Sequence, residues 1–182
     1  MNLEASIAKF NLGELVISQF PKIALEAIKT GVESESLIIL GGMNDRDNSF
    51  EIKEYLDCVI KELGIVSHKS LNAAFILANA YIESFKNKEL DVIECIYRIK
   101  NECWDNCRNE IKSDEYLFDG IKFQKIIGPW YEYCDIDEWT DWVKNSDKTL
   151  SEIKNEMEKD LEKKIVEWQS GYLNDKLENI RE

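Results

Sequence analysis

Proline and glycine are scarce in this chain of 182 residues, which contains two prolines and eight glycines. Few residues that break helices leave long helices uninterrupted, and their scarcity argues against a sandwich of many tight turns. The sequence also lacks an apolar run near the roughly 20 residues needed to span a bilayer. A basic segment followed by an apolar run is missing from its N-terminus, so no signal peptide is predicted. We therefore expect a soluble, cytoplasmic protein.

Histidine and cysteine, the usual ligands of zinc, are also few. Histidine occurs once, as His68, and one histidine excludes a His-rich metal site. The five cysteines are odd in number and lack the spacing of a disulfide scaffold, which favours free thiols in a reducing compartment. Cys103 and Cys107 share a helix face near Cys95, and zinc would need Cys134 as its fourth ligand. Structural zinc sites bring paired ligands from two places, so we interpret these thiols as small buried side chains and predict no cofactor.

Basic residues are outnumbered, with 23 lysines and arginines against 36 acidic residues and a net charge of -13. The second half is the more acidic, because residues 91–182 carry a net charge of -9 and residues 1–90 one of -4. Such a chain repels phosphate groups, which excludes nucleic acid and an anionic membrane surface as ligands. Acidic charge instead steers a basic protein partner toward the surface.

The sequence does contain one long segment without charge, LNAAFILANAYIESF at residues 71–85, in which the first charged residue is Glu83. Its apolar residues recur at steps of three and four: Leu71, Ala74, Phe75, Ala78, Ile82 and Phe85. Much of the remaining circumference is apolar too, which predicts a helix covered on most sides. We therefore predict an all-α fold, a single helical domain over residues 1–182, with six to eight helices packed around residues 71–85.

Residues that typically begin or end helices predict the helices before this segment. A helix over residues 3–20 is interrupted at Gly13, and Pro21 suits the first turn of the next helix. Ser34 or Ser36 caps a short helix, and residues 43–48 form a loop. Asn48, followed three residues later by Glu51, resembles a capping box that opens another helix.

The second half is less regular. A helix is predicted over residues 90–111, whereas residues 113–135 fit a short helix, an irregular loop or a small hairpin with YLF and KFQKII as strands. A long amphipathic helix follows Thr149. Its apolar stripe packs on the body of the protein or forms a homodimer through residues 149–172. The stripe consists of Leu150, Ile153, Met157, Leu161, Ile165, Trp168 and Tyr172.

The run from residue 24 to residue 64 resembles an uncharacterised family of small acidic helical bacterial proteins. In that pattern an "ALEA…G…S.SL..L.G" segment precedes a helix that ends in "ELG". The matching residues are 24–31, Ser34, Ser36, Leu37, Leu40, Gly42 and 62–64. They are caps and core positions over about a quarter of the chain, so the resemblance implies a shared helical fold and no activity.

No catalytic motif is present. The Gly41-Gly42 pair is not followed by the Lys-Ser/Thr of a phosphate loop, and no serine lies in a nucleophile elbow. Carboxylates are plentiful, and two sets share helix faces: Glu51, Glu54, Asp57 and Glu152, Glu156, Asp160. A solvated acidic face is the ordinary interpretation of such sets. An enzyme or metal protein with an unrecognised carboxylate site is the alternative.

The most unusual stretch is PWYEYCDIDEWTDWV at residues 129–143, in which aromatic and acidic residues alternate without lysine or arginine until Lys144. Tryptophan and tyrosine are enriched at binding hot spots, and an acidic rim selects a basic partner. The candidate partner-binding residues are Trp130, Tyr131, Glu132, Asp135, Asp137, Glu138, Trp139, Asp141 and Trp142.

Two other interpretations of this stretch stay open. Its tryptophans anchor a connecting segment to the core, with the acidic residues facing water. Alternatively, Asp135, Asp137 and Asp141 belong to a calcium loop, although the glycine and terminal glutamate of an EF-hand are missing.

Together these features favour a non-enzymatic protein-binding module. Its concrete form is an intracellular bacterial immunity or inhibitor protein that covers a basic protein with an acidic aromatic surface. The alternatives are the enzyme or metal protein described above and a structural subunit that forms homo-oligomers.

Overall fold

The computed structural model of the chain describes residues 1–111, 118–138 and 147–181. Helices form throughout these ranges and no strand occurs in them, so the predicted all-α class is confirmed. None of their helices is long and apolar enough to cross a membrane. The chain divides into two compact units, Met1–Ala80 and Tyr81–Glu182. The single domain stays a prediction.

Unit 1 contains the first four helices, in the order α1 (Leu3–Asn11), α2 (Phe20–Lys29), α3 (Glu35–Gly42) and α4 (Ser49–Glu62). Helix α3 packs against both α2 and α4. The close approach of α2 and α3 depends on Gly41, because a Cβ there would lie 3.0 Å from Cδ1 of Ile28 and 3.4 Å from the backbone N of Leu25. The unit's core consists of Leu3, Ile7, Phe20, Ala24, Ala27, Leu37, Leu40, Ile52, Leu56 and Val59.

The ends of these helices follow local sequence signals. The Oγ of Ser34 accepts a hydrogen bond from the backbone N of Leu37, and Oδ1 of Asn48 accepts one from Phe50. Each bond satisfies one of the backbone donors that the first turn of a helix leaves unpaired. Gly13 has a φ of +82°, a left-handed value that glycine adopts without strain, and it ends α1 where the sequence predicted an interruption.

Glu62 ties the last turn of α4 to the first turn of α3. Its carboxylate accepts one hydrogen bond from the Ser36 hydroxyl and another, of 3.0 Å, from the Ser36 backbone N. The hydroxyl bond is the main cause that lowers the pKa of Glu62, followed by the backbone bond. A carboxylate also interacts favourably with the positive end of a helix dipole.

The substitution Glu62→Gln is therefore expected to lower the midpoint temperature of unfolding at neutral pH. Because the folded-state pKa lies below the unfolded one, the stabilisation is present above the unfolded pKa and is lost as pH falls through the folded value. The difference between wild type and variant should shrink on acidification, measured by thermal unfolding at a series of pH values. Glu54→Gln, at an exposed position on the same helix, is the control. If the difference in midpoint temperature stayed constant across the acid range, the stabilising role of the Glu62 carboxylate would be contradicted.

Helix α5 (Ser70–Lys86) contains the uncharged segment and runs across the boundary between the units. Its buried residues are Ala73, Ala74, Phe75, Leu77, Ala78, Tyr81 and Ile82. These positions cover more of the circumference than one helix stripe, as the sequence predicted. The prediction that the whole fold is organised around this helix is not tested by its burial alone and stays a prediction.

Unit 2 contains α6 (Val92–Arg98), α7 (Gln124–Asp135), α8 (Leu150–Trp168) and α9 (Asn174–Arg181). Helices α6, α7 and α8 pack against one another. Residues 124–135 are helical, so the hairpin that was one of three alternatives for residues 113–135 does not form at KFQKII. The predicted helix over residues 90–111 continues beyond α6 in two other helical forms: a π-helix at Ile99–Trp104 and a 3-10 helix at Asp105–Cys107.

A second π-helix, Gln169–Leu173, joins α8 to α9. Both π-helices accompany buried residues spaced by four: Cys95, Ile99, Cys103, Cys107, and Leu161, Ile165, Gln169, Leu173, Leu177. On an α-helix a step of four residues drifts by about 40°, because one turn takes 3.6 residues. The wider π turn offsets this drift and returns the next residue to the buried side. The predicted stripe through Trp168 and Tyr172 therefore also takes in Leu173, which is fully buried.

Candidate partner-binding site

Helix α7 carries four of the nine predicted site residues, Trp130, Tyr131, Glu132 and Asp135. Its apolar side chains Ile126, Ile127 and Trp130 are buried, whereas Glu132 and Asp135 lie on the exposed side. The helix contains Pro129, which has no N–H to donate and so interrupts the hydrogen-bonding ladder. Burial of the apolar side offsets that loss.

Trp130 is an anchor of α7. Its side chain is only 7% exposed, and its Nε1 donates a hydrogen bond to the backbone O of Ile93, 3.3 Å away. Its ring lies 6.5 Å from that of Tyr97 and 5.1 Å, edge to face, from that of Tyr131. The indole thus fixes α7 in place and leaves Tyr131, which is 42% exposed, as the aromatic group on the surface.

The acidic residues continue past the end of α7. The chain forms a 3-10 turn, Ile136–Glu138, that is held by the buried side chain of Ile136. Asp137 and Glu138 are exposed on this turn. We use the name acidic face for five exposed residues of α7 and this turn: Tyr131, Glu132, Asp135, Asp137 and Glu138. Trp139, Asp141 and Trp142 lie outside the described residues, and their part in the site, like the calcium loop that needs Asp141, stays a prediction.

Tyr133 connects α7 to α8. Its hydroxyl donates a hydrogen bond to Oε1 of Glu158 at 2.6 Å, and the ammonium of Lys154 lies 5.8 Å from its ring centroid. Burial is the main cause that raises the pKa of Tyr133 to about 12, and the bond to Glu158 adds to it. The hydroxyl therefore stays protonated at neutral pH and acts as a donor.

A cleft of about 640 Å³ lies beside Tyr133. Apolar side chains, among them Phe85 and Leu90, form part of its wall. Its charged lining consists of the acidic residues Glu89, Asp91, Glu94, Glu158 and Glu162 and the basic residue Lys88. Glu94 also forms an ion pair with Arg98, at 2.7 Å. The cleft is thus strongly acidic. Because residues of four helices and of the segment between α5 and α6 contribute to it, reasoning along the sequence missed it.

A larger groove of about 1100 Å³ lies in unit 1, bordered by residues of α1 and α2 and by Met43. Its charged lining residues are Lys9, Lys22, Glu26 and Asp45. Two basic and two acidic residues give this groove no preference for a charged partner. It lies in the less acidic half of the chain and contains none of the predicted site residues.

The thiols and the lone histidine do not converge on a metal site in the described parts of the chain, where no three His, Cys, Asp or Glu side chains are placed to hold a metal ion together. Cys95, Cys103 and Cys107 are buried, whereas Cys134 is exposed. The backbone O of His68 accepts a hydrogen bond from Nδ2 of Asn11.

The two carboxylate sets are engaged in ordinary contacts. Glu152 completes the capping box of α8 with Thr149, and its neighbour Glu156 pairs with Lys148. In the other set, Asp57 pairs with Lys53 one turn earlier. These contacts match the interpretation of both sets as solvated faces.

Comparison with protein families, with curated proteins and with solved structures finds no match to this chain. The resemblance to small acidic helical bacterial proteins accordingly stays a prediction.

Proposed function

We propose that this chain is a non-enzymatic binding module for a basic protein, which it holds through the acidic face and the adjoining cleft. The acidic face supplies exposed carboxylates and one exposed tyrosine ring. The cleft supplies a concave surface in which acidic side chains outnumber basic ones. Aromatic and acidic groups in this combination favour lysine- and arginine-rich surfaces.

The observation that carries the proposal is the excess of carboxylates in the cleft beside α7. Five acidic side chains and one lysine line it. Within that lining Glu94 has a cationic partner in Arg98, while Glu158 receives a neutral donor, the hydroxyl of Tyr133. A concave surface of one sign of charge attracts an oppositely charged partner and accelerates its association.

The concrete form that we propose is an intracellular immunity or inhibitor protein, of bacterial type, that covers the working surface of a basic enzyme. Its small size and net charge of -13 suit that role. Five free cysteines suit a reducing cytoplasm. In this role the module contributes shape and charge, and no group of it takes part in a reaction.

Charge reversal on the acidic face tests the proposal. The variant Glu132→Lys, Asp135→Lys, Glu138→Lys leaves intact the ion pair that Asp137 forms with Lys154 of α8. We expect association with a basic probe, a labelled decapeptide of alternating arginine and serine, to slow by about tenfold or more at low ionic strength. Its salt dependence should also become shallower, because fewer charges attract the probe. Stopped-flow fluorescence measures both quantities.

A matched variant in unit 1, Glu33→Lys, Glu51→Lys, Glu54→Lys, makes the same change in net charge at exposed positions. It should slow association much less, because none of its substitutions belongs to the acidic face. Equal slowing by the two variants would show that the probe responds to net charge alone, and the acidic face would lose its role.

The other functions gain no comparable support. In the homodimer hypothesis the stripe of residues 149–172 meets a second copy, but Ile153, Leu161, Ile165 and Trp168 are already buried within the chain. The metal or enzyme hypothesis lacks a ligand cluster in the parts of the chain that the structure describes. Both stay predictions from the sequence.

A further inference from the structure

One basic side chain lies against the acidic face. Lys154, in α8, places its Nζ 2.8 Å from Oδ2 of Asp137 and 5.8 Å from the ring centroid of Tyr133. Two lysines farther along α8 behave differently: Lys163 pairs with Glu167 and Lys164 with Asp160, each one turn away on the same helix. Lys154 instead reaches across to a neighbouring element, where an aromatic face and a carboxylate receive it.

The aromatic ring and the backbone that form this site are held in position. The hydroxyl of Tyr133 donates to Glu158, which holds the ring in one orientation, and Asp137 follows the buried Ile136. An aromatic face within about 6 Å of a cation, together with a carboxylate, is an arrangement that recognises lysine and arginine. We call Tyr133 and Asp137 the cation site.

We propose that Lys154 occupies, in the free chain, the cation site that a basic side chain of the partner takes in the complex. This inference rests on the proposed function, and it adds that the site is occupied by the chain itself before binding. A partner has to displace Lys154. Its affinity is then reduced by the fraction of time for which the site is closed to it.

Replacement of Lys154 by a cation of the partner costs little free energy. The side chain of Asp137 is 61% exposed, and an ion pair so accessible to water is weak and breaks readily. After displacement the ammonium of Lys154 stays near a carboxylate, because Glu158 lies four residues further along α8 and therefore on the same face. The entering cation replaces the lost charge on Asp137, so no carboxylate is left without a counter-charge.

The test compares two variants that each remove one positive charge from α8, Lys154→Gln and Lys163→Gln. The probe is the arginine–serine decapeptide used above. Lys154→Gln opens the cation site and is expected to bind the peptide about three- to fivefold more tightly than Lys163→Gln does, as suits the loss of one weak ion pair. Titrations by fluorescence anisotropy give both dissociation constants.

A direct readout follows Lys154 itself. Reductive methylation with 13C labels the lysines, and the resonance of Lys154 is assigned by its absence from Lys154→Gln. On addition of the peptide this resonance should lose the shift that the nearby Tyr133 ring causes, whereas the resonance of Lys163 should not move.

The outcomes separate the two proposals. Equal affinities of the two lysine variants, or weaker binding by Lys154→Gln, overturn the exchange, while loss of binding in the acidic-face variant still supports the proposed function. If charge reversal on the acidic face has no more effect than charge reversal in unit 1, the proposed function fails, and the exchange fails with it.

Discussion

Trp168→Ala is expected to destabilise unit 2 by about 3–5 kcal/mol, the usual range for removing a large buried aromatic side chain. Trp168 is 6% exposed and packs edge to face against Trp104 and Phe123, with ring centroids 5.8 and 5.0 Å apart. Its Nε1 also donates a buried hydrogen bond of 2.8 Å to the backbone O of Ile121. Truncation therefore leaves a cavity and removes the donor for a buried carbonyl.

Two further variants show how much of this loss of stability comes from the hydrogen bond and how much from the buried ring. Trp168→Phe keeps a ring in the cluster and loses the hydrogen bond, so it should cost about 1–3 kcal/mol. Val166→Ala, at a position of α8 that is 40% exposed, should change stability by less than about 0.5 kcal/mol. Urea unfolding followed by circular dichroism gives all three values. A Trp168→Ala variant as stable as Val166→Ala would show that the aromatic cluster does not hold the unit together.

Alkaline pH is expected to unfold the protein from about pH 9 upward. Burial is the main cause that raises the pKa of Cys95 to about 12 and that of Cys107 to about 11, from an ordinary value of 9.0. The nearby carboxylates Asp91 and Glu110 add to these shifts. Burial, followed by the hydrogen bond to Glu102, also raises the pKa of Tyr81 above its ordinary value.

The direction in which stability changes with pH follows from proton binding. Between its unfolded and folded pKa values, each group holds its proton in the folded state and releases it in the unfolded state. Stability is therefore complete below the unfolded pKa and falls as pH rises, by about 1.4 kcal/mol per pH unit for each group. With both thiols contributing, the loss between pH 9 and 11 is on the order of 4–5 kcal/mol.

The measurement is the free energy of unfolding against pH, in the presence of a reductant that keeps the thiols free. Cys95→Ala should make the slope shallower by about 1.4 kcal/mol per pH unit, whatever it does to stability at neutral pH. Cys58→Ala, which removes an exposed thiol, is the matched control and should leave the slope unchanged. If the free energy of unfolding of the wild type did not change between pH 9 and 11, the raised pKa values of these buried thiols would be contradicted.

The features predictable from the sequence are those set by short-range chemistry. Ser34 and Asn48 cap helices because a side-chain oxygen reaches a backbone N–H two or three residues away. Gly64 adopts a φ of +63° after α4, a left-handed value typical of a glycine that follows the end of a helix. The periodicity of apolar residues likewise identified the all-α class and the helix that follows Thr149.

Long-range pairing was not predictable from spacing along the chain. The cleft combines Asp91, Tyr133 and Glu158, which are separated by tens of residues and meet because α6, α7 and α8 pack together. The burial of Trp130 was not predictable from its neighbours in sequence either. Its position among acidic residues suggested an exposed contact, but the apolar stripe that it shares with Ile126 and Ile127 turns it inward.

The two π-helices have a consequence for how this chain is compared with others. Each wide turn takes up one residue more than an α-helical turn while the helix continues on either side, so it acts as a one-residue insertion absorbed without a loop. A relative that is α-helical throughout would align with this chain only if a single-residue gap were placed inside Ile99–Trp104 or Gln169–Leu173. A gap placed at a helix end would instead put the buried residues of one chain opposite the exposed residues of the other.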